Sequence, residues 1–148
     1  MIFVDTNVFY NILYETELTP RARKAVDMLV EPVTSVIVYN ELIHVTFRAY
    51  AKRAYGIASY HDFRRLFRER GVEAFKEPME SVHQLLEELG VRILEDYQSV
   101  EDLREAITKY RLLPTDAQIA VTCKHYGIET IATLNGDFER VPWLKVIP

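Results

Sequence analysis

Three acidic residues stand close behind stretches that are typical of buried strands or at the start of a helix. Asp5 follows the apolar run Met1 to Val4, Glu41 follows the β-branched run 33–38, and Asp116 begins a helical pattern after Pro114. A short run without polar alternation predicts a strand buried on both faces of a parallel sheet. Ligands bind outside the carboxyl ends of such strands. We therefore expect these carboxylates to meet at one edge of a sheet.

Asp5 also has a purely structural interpretation. Asp and Thr are common N-caps, so Asp5 or Thr6 could simply begin the helix that Val8 and Phe9 indicate. This stretch alone does not choose between capping and chemistry.

Carboxylates that share one site favour a metal ion. Two of them about 4 Å apart repel by roughly 4 kcal/mol at an effective dielectric near 20, and one would otherwise take up a proton. An all-oxygen site without His or Cys selects Mg²⁺ or Mn²⁺, and one or two such ions would activate water for phosphodiester hydrolysis. We expect Asp5, Asp116 and Glu41 as ligands. Asn135 and Asp137, in an Asn-Gly turn, are weaker candidates for the same catalytic site.

The elements that must position these residues alternate between strands and helices. This order predicts an α/β fold, a three-layer α/β/α sandwich with a mostly parallel five-stranded sheet. We expect Glu41 in the first turn of the helix after strand 33–38. Thr115 and Gln118 have the spacing of a capping box, which would place Asp116 at the first helical position. Asp96, after the third strand, could assist a second metal.

Composition excludes several classes of protein. The chain has 148 residues, 49% of them hydrophobic and 27% charged, which is typical of one ordinary globular domain, 1–148. Its apolar runs are too short to span a bilayer and its start lacks signal-peptide features, so we expect a cytoplasmic protein. The single cysteine, Cys123, fits core packing better than nucleophilic chemistry. His44, one helical turn after Glu41, fits a structural role.

A basic stretch interrupts an otherwise acidic chain. Residues 48–70 contain seven basic and two acidic residues, a net charge of +5, so the remainder carries −9 of the total of −4. Interleaved Tyr50, Tyr55 and Tyr60 could stack on bases, and Arg suits phosphates. We name residues 48–75 the helical arm. The candidate RNA-binding residues are Arg48, Lys52, Arg53, Arg64, Arg65 and Arg68. A solvated helical hairpin packed on the core or on a partner subunit is the alternative interpretation.

Four short motifs together resemble the PIN-domain ribonucleases, in particular the VapC-like toxins of prokaryotic toxin-antitoxin pairs. They are Val4-Asp5-Thr6-Asn7, Asn40-Glu41-Leu42, Thr115-Asp116-Ala117-Gln118-Ile119-Ala120, and Ile131-Ala132-Thr133 followed by Asp137 to Pro142. The resemblance covers essentially the whole chain. It implies a PIN-like domain whose first three acidic positions correspond to Asp5, Glu41 and Asp116, with Thr6, Asn7 and Thr133 as supporting groups. One departure is Asn135, because the family often has Asp there.

The resemblance also implies what the protein acts on and with. It implies cleavage of RNA, a homodimer and a small antitoxin protein as partner. Since sequence-specific reading of RNA favours unpaired loops, we expect a single-stranded or looped target. Three alternatives remain open. They are an RNA-processing PIN nuclease that is not a toxin, a catalytically silent RNA- or protein-binding module, and a phosphoacceptor signalling domain, which the Thr6-Asn7 that follows Asp5 fits poorly.

Overall fold

A computed structural model describes all 148 residues as five strands and seven α-helices. The strands are β1 (Ile2–Val4), β2 (Pro32–Ser35), β3 (Arg92–Leu94), β4 (Thr130–Ala132) and β5 (Lys145–Ile147). The helices are α1 (Thr6–Leu13), α2 (Thr19–Asp27), α3 (Val36–Tyr55), α4 (Tyr60–Arg70), α5 (Lys76–Glu88), α6 (Val100–Tyr110) and α7 (Pro114–His125). Short 3₁₀ helices span Gly71–Phe75 and Gly136–Arg140.

The strands form one parallel sheet in the order β3-β2-β1-β4-β5, with helices on its faces. This confirms the predicted fold class. The register pairs Phe3 with Val33 on one side and with Ile131 on the other, so the first strand lies at the centre of the sheet. Parallel strands all end at the same edge. Asp5 therefore lies at the middle of the carboxyl edge.

The main hydrophobic core packs against this sheet. Its largest fully buried side chains include Phe3, Phe9, Ile119, Ile131 and Phe138, which come from the central strands and from the elements that follow them. Burial of both faces of β1 explains why this strand appears in the sequence as an unbroken apolar run.

The predicted second strand is too long. It ends at Ser35, and the β-branched residues Val36 to Val38 begin α3, so Glu41 lies in the second helical turn rather than in the first. The reason is tertiary. A carboxylate oxygen of Asp96 accepts a hydrogen bond from the Ile37 amide at 2.9 Å, which satisfies a free donor at the helix start. This bond outweighs the β propensity of the three residues.

The predicted capping box of α7 is also wrong. The helix begins at Pro114, with Leu113 as N-cap and no side-chain cap, so Asp116 is its third residue. Proline fits the first helical position because it has no amide hydrogen to satisfy. Gln118 instead donates its amide to the carbonyl of Tyr97 at 2.8 Å, and it thereby holds the segment after β3 against α7.

A second, smaller apolar cluster lies within the helical arm and its base. Phe47 and Ala51 of α3 pack there against Phe63 of α4 and against Ala74 and Phe75 of the 3₁₀ helix. The ring centroids of Phe47 and Phe75 are 4.7 Å apart in a stacked arrangement. Ser59 is the N-cap of α4, since its hydroxyl accepts a hydrogen bond from the Asp62 amide. None of the helices is both long and apolar enough to cross a membrane.

Candidate active site

A cavity of about 690 Å³ opens at the carboxyl edge of the sheet and collects most of the predicted site residues. Asp5 reaches it from the end of β1, Glu41 from α3, Asp116 from the start of α7, and Asn135 from the turn after β4. Thr6 and Asn7 of α1 line the same cavity. The fold thus brings together residues from four separate segments of the chain.

Asp5 is the most constrained side chain of the cavity and is 5% exposed. Its Oδ1 accepts a hydrogen bond from the Thr6 amide at 2.7 Å, which makes it the N-cap of α1. Its Oδ2 accepts one from the hydroxyl of Thr133 at 2.7 Å and one from the side-chain amide of Asn7 at 3.0 Å. A carboxylate has about four lone-pair positions, so roughly one remains for a further partner. Capping and a place in the cavity are therefore compatible roles.

The other predicted supporting groups tie the neighbouring segments to Asp5. Thr6 donates its hydroxyl hydrogen to Oε2 of Glu41 at 2.6 Å, which links α1 to α3. The side-chain oxygen of Asn7 accepts a hydrogen bond from the Leu134 amide at 2.9 Å, which links α1 to the end of β4. These bonds hold the acidic side chains in place before any ligand arrives.

Asp116 accepts a hydrogen bond from the turn that contains Asn135. Asn135 donates its side-chain amide to Oδ2 of Asp116 at 3.3 Å, and its side-chain Oδ1 accepts a hydrogen bond from the Asp137 backbone amide at 2.9 Å. Asn135 therefore acts here as a donor to Asp116 and as a cap for the turn. Asp137 does not line the cavity and forms an ion pair with Arg140 at 2.8 Å instead.

Arg140 is a residue of this region that the sequence analysis missed. Besides its bond to Asp137, its guanidinium donates to the carbonyl of Tyr110 at 2.9 Å and to that of Arg111 at 2.8 Å. Arg111 ends α6 in the left-handed region at φ 53°. Arg140 thus clamps the end of α6 to the turn that holds Asp116. Only its position two residues before Pro142, within the fourth motif, connected it to the site in the sequence.

The electrostatics of the cavity disfavour charged carboxylates in the absence of a cation. The pKa of Asp5 is raised from 3.8 to about 6, chiefly by burial; the hydrogen bonds of Thr133 and Thr6 lower it, and the charges of Asp116 and Glu41 raise it. Burial also raises the pKa of Asp116, together with the charges of Asp137 and Glu41. Repulsion among these groups is the physical signature of a site that gains free energy by binding a positive ion.

The donors available in the cavity fit a hard divalent cation. Its carboxylate and amide oxygens are the donors that Mg²⁺ and Mn²⁺ prefer, no Cys lines it, and its one histidine, His44, is exposed. No three His, Cys, Asp or Glu side chains lie close enough together to form a complete ligand set by themselves. Water molecules or substrate oxygens would therefore have to complete the coordination, as is usual for Mg²⁺.

The predicted RNA-binding residues are divided by the fold. Arg48 and Lys52, on α3, line the cavity. Arg53 lies over the ring of Tyr14, 5.2 Å from its centroid, in a different cavity. The remaining three are exposed on α4 away from the acids: Arg64, Arg65 and Arg68.

Three further side chains that the sequence analysis named are His44, Asp96 and Cys123. His44 lines the cavity, whereas the sequence favoured a structural role. Asp96 does not line it, because it is bound to the start of α3. Cys123 is fully buried in the core, and burial raises the pKa of its thiol, so the packing interpretation is confirmed.

Known proteins are similar to this chain over nearly its whole length. The PIN domain model matches residues 2–144. Ribonuclease VapC2 of Methanocaldococcus jannaschii is 32% identical over 149 residues, which cover 99% of this chain and 92% of that protein. Ribonuclease VapC6 of the same organism is 26% identical over 152 residues, which cover 99% of this chain and 95% of the relative.

Solved structures share the fold. VapC20 of Mycobacterium tuberculosis, described as a sarcin-ricin loop cleaving toxin, superposes with a TM-score of 0.62 at 17% identity and full coverage of both chains. FitAcB from Neisseria gonorrhoeae superposes with a TM-score of 0.58 at 19% identity, covering 100% of this chain and 97% of the other.

A parallel five-stranded sheet with an acidic cavity at its carboxyl edge defines the class of α/β proteins that bind ligands where their strands end. Within that class, the chain belongs to the PIN domain family, and it is similar to the VapC ribonucleases.

Proposed function

We propose that the protein is an Mg²⁺- or Mn²⁺-dependent endoribonuclease that cleaves single-stranded or looped RNA, and that it is the toxin of a toxin-antitoxin pair. The observation that carries the proposal is the convergence of Asp5, Glu41 and Asp116 on one cavity whose charges repel each other. The names of its relatives, Ribonuclease VapC2 and Ribonuclease VapC6, support the choice of RNA as substrate.

Asp5, Glu41 and Asp116 are the residues that would hold the ion. A divalent ion in such a site polarises the phosphoryl oxygen and lowers the pKa of water, which is the chemistry that phosphodiester hydrolysis requires. Thr6 and Thr133 fix the orientation of the Glu41 and Asp5 carboxylates through their hydroxyl hydrogens. Asn135 orients Asp116 in the same way through its amide. No Ser or Cys lines the cavity, and the Thr6 hydroxyl is engaged by Glu41, so we assign the attack on phosphorus to water.

The experiment is cleavage of labelled RNA by the purified protein with Mn²⁺, with Mg²⁺ and with EDTA. We expect cleavage only with the metals, and an Asp116→Asn variant should lose about a thousandfold in rate, since such ions contribute several kcal/mol to the transition state. Glu139→Gln is the matched control, because Glu139 is an exposed acid in the turn beside the cavity and makes no hydrogen bond through its side chain. Equal rates for Asp116→Asn and the parent would contradict the assignment.

One observation favours a catalytically silent RNA-binding module as the second candidate. Asn135 replaces an acid, and Asp137 is paired with Arg140, so this side of the cavity offers one carboxylate fewer to a second ion. RNA binding without metal-dependent cleavage would support this alternative.

The toxin role, the antitoxin and the homodimer form a separate part of the proposal. Structural neighbours include a toxin-antitoxin complex from Klebsiella pneumoniae and VapBC2 of Rickettsia felis bound to promoter DNA. If this chain acts in the same way, its expression should arrest growth, and Asp116→Asn should abolish the arrest. Light scattering of the purified protein gives the oligomeric state, and unimpaired growth on expression of an active nuclease would favour RNA processing instead.

A further inference from the structure

The candidate active site extends well beyond its acidic side chains. One ridge of α3 forms a wall of the cavity, and its residues recur at helical spacing along one face of the helix. They are Glu41, His44, Val45, Arg48, Ala49 and Lys52. The acidic end of this wall faces the Asp5 side, while its other end carries only positive charge.

Arg48 is held in place before any substrate binds. Its guanidinium donates to the carbonyl of Ala58 at 3.1 Å. The same group lies over the rings of Tyr60 and Phe63, with its central carbon 5.2 and 5.4 Å from their centroids. Gly56 permits this arrangement, because it ends α3 at φ 65° and turns the chain back toward the helix. A pre-positioned guanidinium loses less conformational entropy on binding a phosphate.

Lys52 adds a second positive charge one turn further along the ridge. It is exposed, lines the cavity and forms no ion pair. Arg48 likewise has no acidic partner. Two neighbouring cations without a carboxylate between them create a local field that attracts an anion.

The length of the ridge separates these cations from the acids. Glu41 and Arg48 are seven positions apart, roughly 10 Å along the helix axis, and Lys52 is roughly 6 Å further. A single phosphate therefore cannot reach both ends. The surface between them is formed by the flat ring of His44 and, across the cavity, by the half-buried Ile57.

We propose that Arg48 and Lys52 form a subsite for phosphates other than the scissile one, one phosphate at each cation, and that an unpaired RNA strand runs between this subsite and the acids. The inference rests on the proposed nuclease function and names the part of the substrate that this end of the cavity binds. The intervening nucleotide packs against His44 and Ile57. A cavity of about 690 Å³ has the size of sites for small molecules, which suits a few nucleotides of a single strand and not a duplex.

The same chain offers a matched control for this subsite. Arg64, Arg65 and Arg68 carry more charge than the pair on α3, yet they lie on α4 outside the cavity. Arg65 is also neutralised by Asp62 at 3.2 Å. If the helical arm attracted RNA only through its total charge, replacement of these three residues would weaken RNA binding more than replacement of Arg48 and Lys52.

The test is the salt dependence of RNA binding, measured by fluorescence anisotropy with a short unstructured labelled RNA in EDTA. The slope of log K against log salt is negative, and each lost phosphate contact decreases its magnitude by about 0.7 for single strands. We expect a decrease of about 0.7 for Lys52→Ala and about 1.4 for Arg48→Gln with Lys52→Ala. The triple variant Arg64→Ala, Arg65→Ala, Arg68→Ala should change the slope by less than either.

Two results would overturn the subsite. They are an unchanged slope in Lys52→Ala, or a decrease in the triple variant as large as that of the double variant. Lys52→Ala keeps the test valid if Arg48→Gln fails to fold, because the Lys52 side chain makes no hydrogen bond, and circular dichroism checks each variant.

Manganese-dependent cleavage of the same RNA is measured in parallel. If the variants change the salt slope as expected but the parent protein does not cut RNA, the proposed nuclease function is contradicted and the phosphate subsite is still supported. A parent that cuts, with an unchanged slope in Lys52→Ala, contradicts the subsite alone.

Discussion

The acidic cavity and the helical arm were both predicted as functional regions, but they are built on different principles. At the cavity, each acid that lines it accepts a hydrogen bond from another segment of the chain: Asp5 from Thr133, Glu41 from Thr6 and Asp116 from Asn135. In the arm, basic residues lie on several faces of two helices, and the contacts are cation-π or exposed ion pairs, as between Arg65 and Asp62. A parallel sheet collects the ends of its strands at one edge, whereas a helical hairpin distributes its side chains around its circumference.

The two regions also have separate cores. The sheet packs one large cluster, and the arm packs its own around Phe75, which is fully buried among the aromatic rings of Phe47, Tyr55 and Phe63. This separation means that a change in one region can be compared with a matched change in the other.

Phe75→Ala is expected to have the largest effect on stability and tests whether the arm has a specific core. Removal of a fully buried Phe typically costs about 3–5 kcal/mol. Urea denaturation followed by circular dichroism measures the loss. Phe67→Ala is the control, because Phe67 belongs to the same arm but is 42% exposed, so its loss should be clearly smaller. A loss below about 1 kcal/mol for Phe75→Ala would show that the arm cluster is not tightly packed.

Asp5→Asn should stabilise the metal-free protein at neutral pH, which no change in the arm is expected to do. The pKa of Asp5 is raised from 3.8 to about 6 in the folded state, chiefly by burial. The folded protein therefore holds a proton that the unfolded chain releases, and the stability this supplies is complete below pH 3.8 and lost as the pH rises through 6.

An asparagine avoids that loss because it never ionises. We expect a gain of about 2 kcal/mol at pH 7.5 in EDTA, somewhat less than the shift alone implies, because Asn makes poorer hydrogen bonds to the donors around it. The gain should vanish near pH 4. Denaturation at the two pH values measures it, with Glu139→Gln as control, and a variant less stable than the parent at pH 7.5 would refute the electrostatic account.

Arg140→Met tests whether the position of Asp116 in the cavity depends on the hydrogen bonds that Arg140 makes behind it. Arg140 joins Tyr110 and Arg111 to the turn that orients Asp116, so its loss should loosen that carboxylate. Groups one step removed from metal ligands commonly contribute about 10–100-fold to affinity, and we expect about tenfold weaker Mn²⁺ binding by calorimetry. Arg140→Lys should be intermediate, since the three guanidinium nitrogens of Arg140 each reach a different oxygen, of Tyr110, Asp137 and Arg111, and the single nitrogen of Lys cannot reach all of them. An affinity for the Met variant within about twofold of the parent would contradict the role.

Arg65→Ala is expected to have the smallest effect. Its partner Asp62 is exposed, and exposed ion pairs contribute about 0–1 kcal/mol. We expect a loss below about 0.5 kcal/mol in the same denaturation assay. A larger loss would mean that the charges of the arm form a stabilising network, and the contrast between the two regions would then be weaker.

The sequence by itself determined the sheet and the segments from which the site is built. The apolar run Met1 to Val4 marked β1 because both faces of a parallel sheet are buried. Asp5 and Asp116 were selected because one follows a predicted strand and the other begins a predicted helix, at the edge of the sheet where ligands bind. The N-cap at Ser59 depends on local sequence alone, since its partner Asp62 is only three residues away.

Only the tertiary structure decided the rest, because the deciding contacts join residues far apart in the chain. Asp96 begins α3 at Ile37 and thereby shifts Glu41 into the second turn. Arg140 binds carbonyls some thirty residues earlier, and the orientation of α3 selects which cations of the arm face the acids. Local patterns carry no information about these partners, since a side chain three turns away on a helix can face either the cavity or the solvent.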